Sequence, residues 1–202
     1  MSCSDEVGGR GAAMSVAVAN SARWGLRVSL AHKPITIQTA LVFVLRDYKP
    51  ADFEEICAID QECFDPEIAY SREEMQYYVR RKGAFAIIAE VENGAGHLRS
   101  VAGFTVVEMH PKGFGHVITI DIRRQFRGSG LGTRLMQAAE ERVSARGARV
   151  MALEVAVNNL GAIRFYKRHG YTVVKTIPRY YPGELDGLLM TKKLGPAARS
   201  SV

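Results

Sequence analysis

The chain has 202 residues, 47% of them hydrophobic and 24% charged, a length and composition that suit one globular domain with a sizeable core and a loose terminus. Its 27 basic and 21 acidic residues leave a net charge of +6, spread along the chain rather than gathered in a block, which favours anionic ligands and speaks against direct nucleic-acid binding. No apolar run approaches the length that spans a bilayer, so no membrane role is expected.

Residues 1–40 are rich in Gly, Ala and Ser and hold no durable period, which predicts a disordered extension. Arg10, Arg23, Arg27 and Lys33 face almost no acids after Glu6, a faint likeness to an organelle transit segment, and Met14 is an alternative start. A domain over 41–194 follows, and 195–202 reads as a tail. Residues 41–46 predict a first strand. Pro50 stands at a helix start, and Phe53, Ile56, Cys57, Ile59, Cys63 and Phe64 recur at helical spacing after it. Cys3, Cys57 and Cys63 are odd in number and lack zinc-type spacing, so the expectation is buried free thiols in a reducing compartment, the cytoplasm, with no metal.

Ser71 and Glu74 form a capping box before a second helix, and the link from Asp65-Pro66 to Tyr70, aromatic at both ends, is placed to border a substrate site. Residues 85–91 and 101–108 predict two strands joined by a turn at Asn93-Gly94, and 117–122 a third, together an antiparallel meander. A helix from Leu131 ends at Gly147. Residues 150–157 predict a strand parallel to its predecessor through a right-handed crossover, and 159–169 a helix closed by Gly170. Strands 171–177 and 188–192 around a loop over 178–187 complete a mixed α/β fold, antiparallel at both ends with one parallel crossover in its centre.

Arg127, Gly128, Ser129, Gly130, Leu131, Gly132 and Thr133 lie between a strand and a helix in Arg-x-x-Gly-x-Gly order. Glycines let the backbone approach a ligand closely, and the first free N–H groups of the helix point into the same concavity with the positive dipole end behind them. Phosphates fit such a site. Neither of the two common nucleotide fingerprints is present, so a tight turn is the plain alternative. In the strand 150–157, alternation sets Glu154 between Ala152 and Ala156, either a surface acid or a general base beside a cleft. Asn159 stands at a helix start, where capping alone would explain it. Tyr166 follows twelve positions after Glu154, where packing on the sheet would explain it.

Taken together, these residues carry a resemblance. The run Leu153-Glu-Val-x-x-x-Asn-x-x-Ala-Ile-x-x-Tyr166, closed by His169-Gly-Tyr171 and preceded by the glycine loop, is similar to the acetyl-CoA-binding half of the GNAT superfamily of N-acetyltransferases, in its RimI-like branch. The resemblance implies the GNAT acyl-CoA N-acyltransferase fold and acetyl-CoA as cosubstrate. Backbone groups of Ile120, Asp121 and Ile122 would hold the pantetheine arm, Arg127 to Thr133 the pyrophosphate, and Asn159 the cofactor. Glu154 would be the base and Tyr166 the acid. Phe64, Tyr180 and Tyr181 would face the acceptor; Tyr180 and Tyr181 point to opposite faces by the strand period, with Tyr181 preferred for contact with the amine or backbone.

The acceptor implied is the α-amine of a protein or peptide N-terminus, a ribosomal protein among the candidates, and the protein a monomer or weak dimer. A small-molecule amine and a non-catalytic acyl-CoA-binding module are the alternatives. Asp121 departs from the small apolar residue usual in that branch; it would assist the base, bind a basic substrate or face solvent.

Overall fold

The structure, a computed structural model, describes residues 41–92 and 99–195. The expected N-terminal extension with Cys3 and Met14, the Asn93-Gly94 turn and the last residues of the tail lie outside that range.

Alternating apolar runs pair as an antiparallel meander of β1 (Phe43–Asp47), β2 (Ala84–Glu92), β3 (Arg99–Met109) and β4 (Gly115–Ile122). Between β1 and β2 the chain makes a 3-10 turn (Pro50–Asp52), α1 (Phe53–Cys63) and α2 (Arg72–Arg80). The Ser71–Glu74 capping box forms at the start of α2, so two of its orphan donors are satisfied reciprocally. Then come α3 (Leu131–Ala145), β5 (Val150–Ala156), α4 (Leu160–Arg168), β6 (Thr172–Tyr181) and β7 (Leu185–Lys193).

The seven described strands form one sheet in the order β1-β2-β3-β4-β5-β7-β6. Its parallel pair is β4 with β5, as the strand-helix-strand spacing requires. The last hairpin differs from expectation. Residues 178–181 are strand rather than loop, because β6 resumes pairing at Tyr181↔Leu185 after a register skip beyond Ile177, where Arg179 takes φ +51°.

Helices cover both faces. On β2, Ile87, Ala89 and Val91 point to the core shared with Leu135, Met136 and Ala139 of α3 and with Ile163 and Tyr166 of α4. The alternate residues Ala86 and Ile88 point to the core of Ile56 and Ile59 of α1 and Met75 of α2. Cys57 and Cys63 are free thiols, but half-buried rather than enclosed. The Arg123 guanidinium at the end of β4 donates to Glu62 and Glu55 of α1, both at 2.6 Å, so α1 is tied to the point where the chain leaves the sheet for the glycine loop.

Candidate active site

Along β5, pairing with β7 is continuous from Val150↔Lys193 to Ala156↔Gly187. Pairing with β4 is not: it comprises Gly115↔Met151 and His116↔Ala152, after which the strands part. A register irregularity between Val106 and Val107, opposite Thr119 and Val117, lies at the parting and turns β4 away. The result is a cleft walled by β4 from Val117 to Ile122 and by β5 from Leu153 to Ala156. Ile120 and Ile122 pack with the α3 side and Ile118 with the α1 side. Several carbonyls of β4 are already engaged. The Tyr70 hydroxyl donates to Ile118 O at 3.3 Å, the Thr105 hydroxyl to Thr119 O at 2.8 Å, and Arg127 Nε to Ile122 O at 3.0 Å.

At the end of β4 the glycine loop leads into α3. Gly128 and Gly130 have φ of +77° and +86°, a region that side chains rarely adopt, and a Cβ at either would project into open space. Gly130 stands at the N-cap of α3 and brings no capping side chain, so the N–H groups of the first turn are left to a ligand or solvent. Gly132 acts through packing instead. A Cβ there would come within 3.2 Å of Ile122 and 3.3 Å of Phe165, so its smallness closes the helix onto β4 and α4. Ser129 Oγ donates to Phe126 O at 2.7 Å, and the Thr133 hydroxyl meets His169 Nε2 at 2.9 Å. The loop is thus braced by its side chains while its backbone remains open. Asn159 caps α4, its Oδ1 accepting from Ala162 N–H at 3.0 Å.

Glu154 faces away from the α3 core, as the alternation predicts. On β4, His116 pairs with Ala152, two residues before Glu154, and its Nε2 lies 2.6 Å from Glu154 Oε2; with the carboxylate as acceptor, the imidazole N–H donates. The sequence pattern does not reveal His116, because which β4 residue faces Glu154 depends on a parallel register that two paired positions define. The pair lines a cavity of about 710 Å³ with Arg81, Glu108, Lys112 and Arg149.

Tyrosines close the other side. Burial, then the Glu154 charge, push the Tyr180 hydroxyl up to about 12. Tyr181 is raised as well, by burial first and then by Tyr180 and Glu154; the two rings meet edge to face at 5.0 Å. Both hydroxyls thus feel the same carboxylate, just after the point where Arg179 takes φ +51° and the pairing with β7 skips. Tyr70, at the end of the α1–α2 link, packs edge to face on Tyr78 at 5.1 Å and feels both hairpin tyrosines. Phe64 stands half-buried at the C-terminal end of α1.

Tyr166 on α4 is 8% exposed, its ring against Phe165 and Tyr171. Burial, then the charge of Asp121, then Tyr181 hold its hydroxyl in the protonated form well beyond the ordinary phenol range. Asp121 does not face solvent: it is 1% exposed and turned towards Asp60 of α1.

A parted parallel pair, an open glycine cradle at a helix start and a carboxylate with an imidazole beside the fork make up the site, and comparison with known proteins gives the family. The acetyltransferase (GNAT) family model matches residues 53–171, more than half of the chain, and the chain belongs to that family. Over 82 residues it is 39% identical to an uncharacterised N-acetyltransferase of Methanocaldococcus jannaschii, an alignment spanning 40% of this chain and 53% of that protein. It is 28% identical over 142 residues to N-alpha-acetyltransferase 30 of Schizosaccharomyces pombe, covering 69% of this chain and 90% of that protein. Among solved structures, the ribosomal-protein-S18-alanine N-acetyltransferase of Escherichia coli superposes with a TM-score of 0.67 at 18% identity, covering 80% and 99% of the two chains, a likeness of fold. The mixed, mainly antiparallel sheet with its parallel pair is that family's architecture.

Proposed function

We propose that the protein transfers the acetyl group of acetyl-CoA to the N-terminal α-amine of a protein or peptide. The observation that carries this reading is the fork itself: the Glu154–His116 pair sits where β4 and β5 part, and the charge of Glu154 reaches the tyrosines of the last hairpin. Among the described residues no group of His, Cys, Asp and Glu is arranged to hold a metal ion, and the reading asks for none.

The cradle suits the cosubstrate. Gly128 and Gly130 leave the space that a pyrophosphate would take, and the uncapped start of α3 supplies N–H donors and positive potential. Arg127 adds a guanidinium, and backbone groups of Ile120, Asp121 and Ile122 border the path of the pantetheine arm. In this reading Asn159 contributes the half of its amide that the helix cap leaves over.

An amine attacks only after losing its proton. At pH 7 that costs an α-amine of pKa about 8 roughly 1.4 kcal/mol, against roughly 4.6 for a lysine side chain of pKa about 10.4. A carboxylate–imidazole pair meets the smaller demand readily. Glu154 takes the proton, with His116 orienting the carboxylate. An N–H of β4 beyond the parting is suited to the oxyanion that forms on attack, and Tyr166 donates to the departing sulfur. Tyr180, Tyr181 and Phe64 would border the acceptor.

The test is acetyl transfer to a panel of short peptides with different first residues, with polyamines, amino acids and aminoglycosides alongside, read by mass. Acetylation that depends on the first residues of the peptide supports the reading. Acetylation of the small amines alone moves the enzyme to metabolite chemistry while leaving the cofactor site intact.

A further inference from the structure

Asp60 of α1 and Asp121 of β4 are enclosed, 0% and 1% exposed. Each has one oxygen accounted for. Tyr70 N–H donates to Asp60 Oδ2 at 2.7 Å, and the Thr119 hydroxyl donates to Asp121 Oδ1 at 2.9 Å. The remaining oxygens, Asp60 Oδ1 and Asp121 Oδ2, are buried with no donor, although the two side chains lie within hydrogen-bonding reach of one another. Two carboxylates left ionised there would repel in a dry site and waste both oxygens. A single proton between them satisfies both at once.

We infer that Asp60 and Asp121 share one proton at neutral pH, and that this carboxyl–carboxylate bond fastens the acceptor-side link to the cofactor strand. The two are positioning residues. Asp60 holds the backbone of Tyr70, whose hydroxyl reaches Ile118 O, so the end of the α1–α2 link is fixed to α1 by one contact and to β4 by the other. Asp121 lies between Ile120 and Ile122 on the strand that borders the cleft.

The surroundings favour retention of the proton. Glu74 of α2 adds a negative charge near Asp60, whose other neighbours are the Cys57 thiol and the Tyr70 phenol. Around Asp121 stand Cys63 of α1, Tyr166 of α4 and the Arg127 guanidinium of the glycine loop. Arg127 opposes the proton, but burial is the larger influence and raises both carboxyls, Asp121 furthest. The folded chain therefore keeps a proton that the unfolded chain releases near pH 4. The stability this confers is complete below the ordinary carboxyl range and is lost as pH rises through the titration of the pair.

Two measurements on the full chain decide the matter. Carbon-13 carboxyl resonances of the aspartates should show one pair still carrying a proton at pH 7 and titrating above it; full ionisation of every aspartate at pH 7 overturns the inference, whether or not any variant folds. In Asp60→Asn the new amide donates to Asp121 and its oxygen accepts from Tyr70, so the shared proton is no longer needed. Relative to this variant, the wild-type unfolding constant should grow up to tenfold per pH unit between the unfolded carboxyl range and the titration of the pair. Parallel stability profiles for the two proteins would contradict the inference. The link to catalysis rests on the acetyl-transfer reading: the acceptor KM of the wild type should rise through that same window and that of Asp60→Asn should not. A protein that acetylates no peptide refutes that reading and leaves the resonance test standing.

Discussion

Tyr166 carries a hydroxyl that burial and Asp121 keep protonated, and its neighbour Phe165 holds the ring in place. Tyr166→Phe preserves that packing and removes the proton, so turnover should fall about 10²-fold while acetyl-CoA affinity, measured by calorimetry, stays within about twofold. Glu154→Gln should lower kcat/KM by a similar factor, again without loss of cofactor binding; full activity would remove Glu154 from the base role. Gly130→Val acts in the opposite way. A side chain at φ +86° costs about 1–2 kcal/mol of stability and projects into the open cradle, so cofactor binding should be lost from a protein that still folds. Unchanged affinity would exclude the cradle. The positions of Glu154 and the glycines in the fold were legible from strand alternation and spacing, while the roles proposed for them and for Tyr166 came from the family resemblance. His116 was not legible. Its contact with Glu154 is made between two strands separated in sequence by a helix, a relation that no local pattern encodes.

The parting of β4 from β5 depends on β3 holding β4 from the other side. Gly103 makes that contact possible: a Cβ there would lie 2.5 Å from Asp121 O and 3.1 Å from Ile122 Cα, both backbone atoms that cannot rotate away. Gly103→Ala should destabilise the protein by about 1–3 kcal/mol in a denaturant titration and disturb the strand bordering the cofactor. A neutral effect would mean that β4 shifts freely, against the close packing at Gly103. Most elements could be read from hydrophobic period and caps, the Ser71–Glu74 box of α2 among them. The last hairpin could not. Its sequence Pro178-Arg179-Tyr180-Tyr181 reads as loop, yet with Arg179 left-handed the strand resumes at Tyr181, and both tyrosines feel the charge of one carboxylate.

Across the sheet as a whole, seven strands with helices on both faces bury two cores, and the cleft opens where the parallel crossover interrupts the antiparallel order. The order of elements in sequence was enough to anticipate this, since a strand-helix-strand passage between two meanders leaves one parallel pair. The proximity of Asp60 to Asp121 was beyond reach, because α1 and β4 are brought together only by tertiary contacts between segments about sixty residues apart. No helix among the described residues is long and apolar enough to cross a membrane. Whether the Glu154–His116 fork serves an α-amine is decided by giving the protein acetyl-CoA and a peptide that has a free N-terminus and an internal lysine, then locating the added acetyl group by fragmentation in the mass spectrometer. Acetylation is expected at the N-terminal nitrogen and should slow about 10²-fold in Glu154→Gln. Acetyl on the lysine alone, or no transfer to the peptide under conditions where a small amine is acetylated, would refute an α-amine acceptor.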